Sequence, residues 1–240
     1  MINLDVRLKS VYDMIGKTHC LVDVGSDHGY LPIRLLNDGK IEKAVVTDVN
    51  EGPLLNAKEN FMQYNISDRA KLILSDGLKN VSVEDIDVLS ICGMGGELII
   101  SILDFDINKS KSFDYLVLQP MNSVDLVRRY LYCNGFSIVK EDLVKDRHHF
   151  YNVLKVTTKK DNNKYDDVFF DIGYDLYKNG NKHFCEYLDY KINVNKKIIE
   201  NCGSQNTINA VKAKEKAAEY INILERIRSE YESKRYNKVH

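Results

Sequence analysis

Five short apolar runs alternate with longer helical segments along the first half of the chain: CLVDVG, KAVVTDV, AKLILSDG, DVLSICG and DYLVLQP. Such nearly continuous apolar runs are typical of strands that are buried on both faces, and their alternation with helices indicates a parallel sheet. Two later runs, FSIVKEDLVKD and FYNVLKVTT, are spaced like a hairpin at the end of the sheet. The pattern therefore predicts an α/β domain with a doubly wound sheet.

The strand-like pattern stops near residue 159, and helical spacing replaces it. We therefore predict an α/β domain over residues 1–159 and an α-helical, coiled-coil-like domain over residues 160–240. In the last stretch, apolar residues recur every three or four positions, which predicts one long helix packed in an antiparallel hairpin. The residues of this predicted apolar face are Ile208, Val211, Ala218, Ile221, Leu224 and Ile227.

The amino-acid composition limits the class of protein. The chain has 240 residues, of which 44% are hydrophobic and 29% are charged, and no apolar run approaches the roughly 18 residues that span a bilayer. Its five cysteines form no CxxC pair, which favours free thiols in a reducing cytosol. Residues 176–240 carry 13 Lys and Arg against 8 Asp and Glu, a mild excess that permits a polyanionic partner. We expect a cytoplasmic, monomeric protein without a membrane segment.

The first apolar run leads into the loop DVGSDHGYLP, from Asp23 to Pro32. Open parallel sheets bind ligands at the carboxyl ends of their strands, which makes this loop the primary ligand site. A dinucleotide pyrophosphate favours the pattern G-x-G-x-x-G, whereas here Asp27 stands at the centre and would repel phosphates. The loop therefore favours an unphosphorylated, nucleoside-like cation such as S-adenosylmethionine, and it argues against a nicotinamide dehydrogenase.

Acids and glycines at the ends of the later runs fit the same ligand. Asp48 is placed to accept both ribose hydroxyls, and Asp76 with Gly77 is placed to receive the adenine ring. The glycines of CGMGG, which include Gly93, let the backbone approach a ligand closely. Each of these residues could instead have a purely structural role, as a helix N-cap or in a tight strand-to-helix turn. The predicted cofactor-binding residues are Asp23, Gly25, Ser26, Asp27, Gly29, Asp48, Val49, Asp76, Gly77, Gly93, Met94 and Gly95.

The segments DVGSDHGYLP, CGMGG and LQPMN, followed by a helical extension, resemble the bacterial tRNA adenine-N1 methyltransferases that modify position 22 in the D-arm. This resemblance covers nearly the whole chain. It implies a class I, Rossmann-like methyltransferase fold and transfer of a methyl group from S-adenosylmethionine to N1 of that adenine. The sequence departs from the family's pattern at Met121, where relatives usually have Asn directly after Gln119 and Pro120.

N1 of neutral adenine has a free lone pair, so catalysis needs positioning rather than a strong base. A carboxylate would stabilise the charge that develops on the ring, and we predict Asp27 and His28 as catalytic residues. Asp27 could instead hold the ammonium group of the cofactor or cap the following helix. His28 could bond to Asp27 or to a substrate phosphate, or it could only orient the loop.

The target base must leave the tRNA stack before its N1 can react. The predicted substrate-binding residues are Arg7, Tyr30, Gln119, Pro120, Asn122 and Tyr151. Arg7 could instead form a surface ion pair, and Tyr30 could simply pack under the loop. His148 and His149 lack the partner spacing of a metal site, so we expect no metal.

The basic C-terminal helices are candidates for a tRNA clamp, although they could also only shield the sheet. Their candidate cations are Lys196, Lys197, Lys212, Lys214, Lys216, Arg226 and Arg228. Two alternative functions stay open from the sequence. One is methylation of another RNA position or of a small molecule, and the other is RNA binding without transfer.

Overall fold

The computed structural model describes residues 2–26, 28–159, 165–203 and 207–239, without the side chains of residues 236–239. Asp27 therefore lies outside the described residues. The chain divides into two compact units, Met1–Tyr165 and Asp166–His240. The predicted domain boundary adjoins residues 160–164, which also lie outside the described residues.

The first unit contains a seven-stranded sheet with the strand order β3-β2-β1-β4-β5-β7-β6. The strands are β1 (Thr18–Val24), β2 (Ile41–Asp48), β3 (Ala70–Leu74), β4 (Val88–Met94), β5 (Tyr115–Pro120), β6 (Ser137–Asp146) and β7 (His149–Thr157). Strands β1 to β5 pair in parallel, whereas β7 pairs antiparallel with both β5 and β6. The doubly wound sheet and its closing hairpin, both predicted from the apolar runs, are confirmed.

Helices cover both faces of this sheet. They are α1 (Val6–Met14), α2 (Tyr30–Asn37), α3 (Glu51–Gln63), α4 (Gly96–Phe105), α5 (Ile107–Lys111) and α6 (Val124–Cys133). Successive residues of a strand point to opposite faces, so Leu21 packs in one core with Val11 while Val22 packs in the other with Ile99. This burial on both faces explains why the strands have continuous apolar runs rather than alternating ones.

The strand order reverses between β1 and β4, since β2 and β3 lie on one side of β1 while β4 and β5 lie on the other. At such a point the connections leave the sheet in opposite directions and open a crevice at the carboxyl ends of the strands. The loops that follow β1 and β4 therefore border one crevice. The connection after β5 lies beside them.

The second unit is helical, with α7 (Asp167–Ile172), α8 (Tyr174–Asn179), α9 (Phe184–Cys202) and α10 (Ile208–Val239). The ring of Phe184, at the start of α9, lies 4.8 Å from that of Tyr231, near the end of α10, so the two helices run antiparallel. The helical hairpin predicted from the sequence is therefore present.

The predicted apolar face of α10 was partly wrong. Ile208, Val211 and Ala218 are exposed. The buried residues of α10 are Ala210, Ala217, Ile221, Leu224, Ile227 and Tyr231. Four of them, at positions 210, 217, 224 and 231, follow the seven-residue repeat of a coiled-coil seam, which is narrower than the face expected of a helix on a globular core.

Candidate active site

A cavity of about 380 Å³ lies at the carboxyl end of β1, at the reversal of strand order. It is lined by Asp5, Arg7, Leu8, Asp23, Gly25, Ser26, His28, Gly29, Tyr30, Leu31, Cys92 and Gly93. Many residues of this lining were predicted as site residues from the sequence. Asp5, Leu8, Leu31 and Cys92 were not, because nothing in their local pattern indicates a ligand site.

The turn after β1 depends on Gly25. Its φ of +75° lies in the left-handed region, and its backbone N–H donates to the carbonyl oxygen of Thr47 over 2.7 Å. A Cβ at this position would lie 2.0 Å from Cε of Met94, on the neighbouring strand. The positive φ therefore favours glycine at this turn, and the flexible Met94 side chain would have to move to admit a Cβ.

Asp23 is the buried acid of the cavity. One oxygen, Oδ1, accepts a hydrogen bond from the hydroxyl of Ser90. Burial raises the pKa of the Asp23 carboxyl to about 6, and hydrogen bonds from Ser90 and Ser26 only partly offset this effect. The thiol of Cys92 is also buried, which together with the nearby Asp23 raises its pKa. A cationic ligand would find a carboxylate here that is poorly solvated and short of positive partners.

The predicted nucleoside-binding acids lie on neighbouring strand ends, outside the lining of the cavity. Oδ1 of Asp48 accepts from the backbone N–H of Asn50 over 2.9 Å, which holds the turn after β2. Val49 is 63% exposed. Asp76 is exposed and pairs with Lys79 over 2.6 Å. Asp48, Val49, Asp76 and Gly77 thus keep predicted cofactor roles beside the cavity.

The turns after β4 and β5 are joined to each other. Oδ1 of Asn122 accepts from the N–H of Gly96 over 3.1 Å, and the N–H of Met121 donates to the carbonyl oxygen of Met94 over 2.8 Å. A Cβ on Gly96 would lie 2.7 Å from the carbonyl oxygen of Ser123. The backbone of the turn after β5 therefore packs directly on Gly96 at the start of α4. The side chain of Asn122 caps the amino end of that helix.

Gln119 links three parts of the site. Its Oε1 accepts from Nη1 of Arg7 over 2.9 Å and from the N–H of Gly93 over 3.0 Å. Its Nε2 donates to the carbonyl oxygen of Pro120 over 3.0 Å, and both Gln119 and Pro120 are buried. The amide of Gln119 is thus used within the protein, where it holds Arg7 against the cavity. A substrate-binding role for Gln119 and Pro120 stays a prediction.

Arg7 lines the cavity, and its Nη2 also lies 3.5 Å from Oδ2 of Asp5. Asp5 in turn caps α1 by accepting from the N–H of Leu8 over 2.7 Å. The surface ion pair that we considered for Arg7 is therefore present. It coexists with the contact to Gln119, which directs the guanidinium towards the strand ends.

Two aromatic rings stand at the edge of the cavity. The rings of His28 and Tyr30 stack at 5.1 Å with an interplanar angle of 17°. The carbonyl oxygen of His28 accepts from Nδ2 of Asn60 over 2.9 Å, which ties the loop to α3. Tyr151 is half-buried on β7 and is not part of the lining. The catalytic role of Asp27 stays a prediction, since that residue is not described.

The described residues form neither a metal cluster nor a membrane-spanning helix. They contain no group of three or more His, Cys, Asp or Glu side chains placed to hold a metal ion. None of their helices combines the length and the apolar character that a membrane span requires.

Comparisons with known proteins identify the family. Residues 21–229 match the family described as TrmK, tRNA (adenine(22)-N(1))-methyltransferase. The tRNA (adenine(22)-N(1))-methyltransferase of Bacillus subtilis is 28% identical over 172 residues, which cover 72% of each chain.

Two solved structures have the same fold over nearly the whole chain. A Streptococcus pneumoniae protein in complex with S-adenosyl-L-methionine is 28% identical, with a TM-score of 0.82 over 94% of this chain and 99% of that one. The M. capricolum TrmK in complex with S-adenosyl-homocysteine is 26% identical, with a TM-score of 0.81 over 93% and 99%. Because the family match spans most of the sequence, this chain belongs to the TrmK family of tRNA (adenine(22)-N(1))-methyltransferases.

Proposed function

We propose that this protein transfers the methyl group of S-adenosylmethionine to N1 of adenine 22 in the D-arm of tRNA. The family match supports the reaction, and the relatives solved with S-adenosyl-L-methionine and S-adenosyl-homocysteine support the cofactor. The single observation that carries the proposal on this chain is the acidic cavity at the end of β1, in which Asp23 is buried behind a glycine turn.

The described residues fit such a cofactor. The cavity of about 380 Å³ is of a size for a small molecule, and Gly25 leaves room where a Cβ would lie. Asp5 and Arg7 of its lining pair with each other, so the carboxylate of Asp23 is the charge that attracts cations and repels phosphates. When bound, S-adenosylmethionine supplies an electrophilic methyl group on a positively charged sulfur. Asp23 and Ser26 would face its charged amino-acid portion, while Asp48 and Asp76 would hold its nucleoside portion.

The residues of the chain mainly position the reactants. The lone pair of adenine N1 attacks without a general base, so alignment lowers most of the barrier. The stacked rings of His28 and Tyr30 offer an aromatic surface at the edge of the cavity for a base that has left the tRNA stack. Arg7 is held by Gln119 and forms part of the cavity wall on the side of α1. We propose that Asp27 stabilises the charge that develops on the ring or holds the cofactor.

The second unit is proposed to contact tRNA. Two of its candidate cations are already used within the unit: Arg228 pairs with Asp189 over 2.8 Å, and Lys214 donates to the carbonyl oxygen of Gly203. The other candidates are exposed, and they are Lys196, Lys197, Lys212, Lys216 and Arg226. Their positive charge would attract the phosphate backbone without reading its sequence. A monomeric state, the absence of a metal and a cytoplasmic location stay predictions.

The test is methyl transfer from labelled cofactor to an unmodified tRNA transcript, with the product nucleoside identified by mass spectrometry. We expect N1-methyladenosine at position 22 and no product from a matched transcript that carries guanine there. Binding of the cofactor without methylation of the first transcript would refute the substrate. Equal methylation of both transcripts would refute the position. Asp27→Asn, measured for cofactor affinity and for transfer, separates the two proposed roles of Asp27.

A further inference from the structure

The hairpin of β6 and β7 extends beyond the rest of the sheet. The last pair between β5 and β7 joins Leu118 to Leu154, and β5 ends at Pro120. The pairing of β6 with β7 continues to Asp146 and His149. About three residues of each strand, roughly 10 Å, therefore stand past the end of β5.

This extension lies at the same pole as the cavity. Strand β6 is antiparallel to β7, which is antiparallel to β5, so the carboxyl ends of β5 and β6 point the same way. The hydroxyl of Ser10, on α1, donates to Oδ2 of Asp142, on β6, over 2.7 Å. Helix α1 also carries Arg7, which lines the cavity. Helix α1 thus contacts both the cavity and the base of the hairpin.

The alternation of β7 gives the end of the hairpin a defined face. Val153 packs in the same core as Val11 of α1. Tyr151 and His149 precede Val153 by two and four residues, so they lie on this same face of the strand. Their ring centroids are 6.3 Å apart. Two aromatic side chains therefore stand in a row on the side of the sheet that carries α1.

A buried ion pair holds the base of the hairpin. Nε of Arg128, on α6, lies 2.8 Å from Oε1 of Glu141, on β6, and Nη2 donates to Oδ1 of Asn152, on β7, over 2.9 Å. The Arg128 side chain is only 1% exposed. This cluster joins both strands to α6 just below the extension, so the base of the hairpin is anchored to the first unit.

The end of the hairpin has the chemistry of a surface that binds nucleic acid. Arg147, His148 and His149 are exposed. Lys145 and Phe150, whose ammonium and ring lie 5.8 Å apart, are a directly opposed pair on the other face of the hairpin from His149 and Tyr151. Asp146 is the acidic residue among them. Cations beside aromatic rings bind phosphates and stack on bases. The cavity lining has two acids, Asp5 and Asp23, and one cation, Arg7, which already pairs with Asp5, so a polyanion needs further cations outside the cavity in order to stay close.

We propose that residues 145–151 contact the RNA beside the target base, with Arg147 on a phosphate and with His149 and Tyr151 stacked against a neighbouring nucleotide. This inference rests on the proposed tRNA substrate and gives it a contact within the first unit. The contact is to the backbone and to unpaired bases, so it adds affinity near the cavity and little sequence preference.

The test compares Arg147→Asn with Lys43→Asn by measuring the affinity of full-length protein for the tRNA transcript over a range of salt. Asn tolerates the φ of +53° at Arg147, and Lys43 is an exposed cation near the amino end of β2, at the opposite pole. We expect Arg147→Asn to bind about fivefold more weakly, with a salt slope smaller by about one. Lys43→Asn should bind like the wild type. Unchanged cofactor affinity in both variants verifies the fold.

A second pair of variants tests stacking. Tyr151→Phe keeps the ring and should keep affinity, whereas Tyr151→Leu should lose it about threefold to tenfold. Equal affinity and salt slope for Arg147→Asn and the wild type would overturn the proposal, as would equal losses in both charge variants. A wild type that binds tRNA without methylating it would refute the proposed function. In that case the tRNA affinities of Arg147→Asn and Lys43→Asn would still test the proposed contact of the hairpin.

Discussion

The carboxamide oxygen of Gln119 accepts hydrogen bonds both from the guanidinium of Arg7, over 2.9 Å, and from the backbone N–H of Gly93, over 3.0 Å. One buried acceptor thus connects helix α1 to the carboxyl end of β4. This arrangement makes the shape of the cavity depend on a side chain that does not line it.

Gln119→Leu removes this acceptor while keeping most of the side-chain volume. We expect it to lower the free energy of unfolding by about 0.5 to 1.5 kcal/mol, because the N–H of Gly93 and the guanidinium of Arg7 lose a partly buried acceptor. Cofactor affinity should fall as Arg7 loses its position. Calorimetric titration and urea unfolding measure the two effects. Equal cofactor affinity in Gln119→Leu and the wild type would contradict this role.

The raised pKa of Asp23 predicts that the free energy of unfolding depends on pH. Its pKa in the folded protein is about 6, whereas the ordinary value is 3.8. The folded state therefore holds this proton more tightly than the unfolded state, so this carboxyl lowers the free energy of unfolding as the pH rises from about 4 to about 6. The total loss of unfolding free energy is on the order of 3 kcal/mol, and it persists above pH 6. Asp23→Asn, which does not titrate, should gain stability relative to the wild type over this window in urea unfolding.

The same carboxylate should attract the cationic cofactor only when it is ionised. We therefore expect the affinity of the wild type for S-adenosylmethionine to fall as the pH drops below about 6, and the affinity of Asp23→Asn to be weaker and flatter with pH. A stability difference between the two proteins that stays constant from pH 4 to pH 7 would argue against the raised pKa.

Gly96 and Gly52 form a matched pair of helical glycines. A Cβ on Gly96 would lie 2.7 Å and 2.8 Å from the carbonyl oxygens of Ser123 and Asn122, whereas a Cβ on Gly52 would meet no atom within 4 Å. We expect Gly96→Ala to destabilise the protein by about 1 to 3 kcal/mol, since backbone must move. Gly52→Ala should stabilise it by about 0.5 to 1 kcal/mol. Thermal unfolding measures the stability of the two variants. A similar change in both would refute the close contact of Gly96 with the backbone after β5.

The buried pair of Arg128 and Glu141 predicts strong coupling. Arg128→Met should cost about 3 to 5 kcal/mol of unfolding free energy, because it leaves the Glu141 carboxylate buried without its main cation. The double variant with Glu141→Leu should recover much of this loss. Urea unfolding of the wild type, both single variants and the double variant gives the coupling energy. Additive effects would show that the two side chains do not depend on each other.

The parts of the fold that the sequence predicts are those with a local pattern. The strands appear as apolar runs because both faces of the sheet are covered by helices, and the turn at Gly25 appears as a glycine followed by polar residues. The family resemblance rests on the same turns. It was confirmed by the family match over residues 21–229.

Long-range pairings could not be predicted in this way. The contact of Arg7 with Gln119 joins residues 112 positions apart, and neither residue type requires the other. Arg128 stands on a helix, where an arginine is normally exposed, and its burial depends on two strands that follow later in the chain. The seam of α10 was misplaced for a related reason, since the spacing of Val211 and Ala218 fits a helical face as well as that of Ala210 and Ala217 does.

Helix α1 is held mainly by segments far along the chain. Besides Arg7 with Gln119, Ser10 bonds to Asp142 and the carbonyl oxygen of Met14 accepts from Lys155, across 132 and 141 residues. During synthesis, at about 5 to 20 residues per second, this helix must wait on the order of ten seconds for its partners to appear. The wall of the cavity formed by Asp5, Arg7 and Leu8 is therefore completed last. Because α1 supplies this wall and is anchored on β5, β6 and β7, we expect the cofactor to stabilise chains that contain β7 more than chains that end before it.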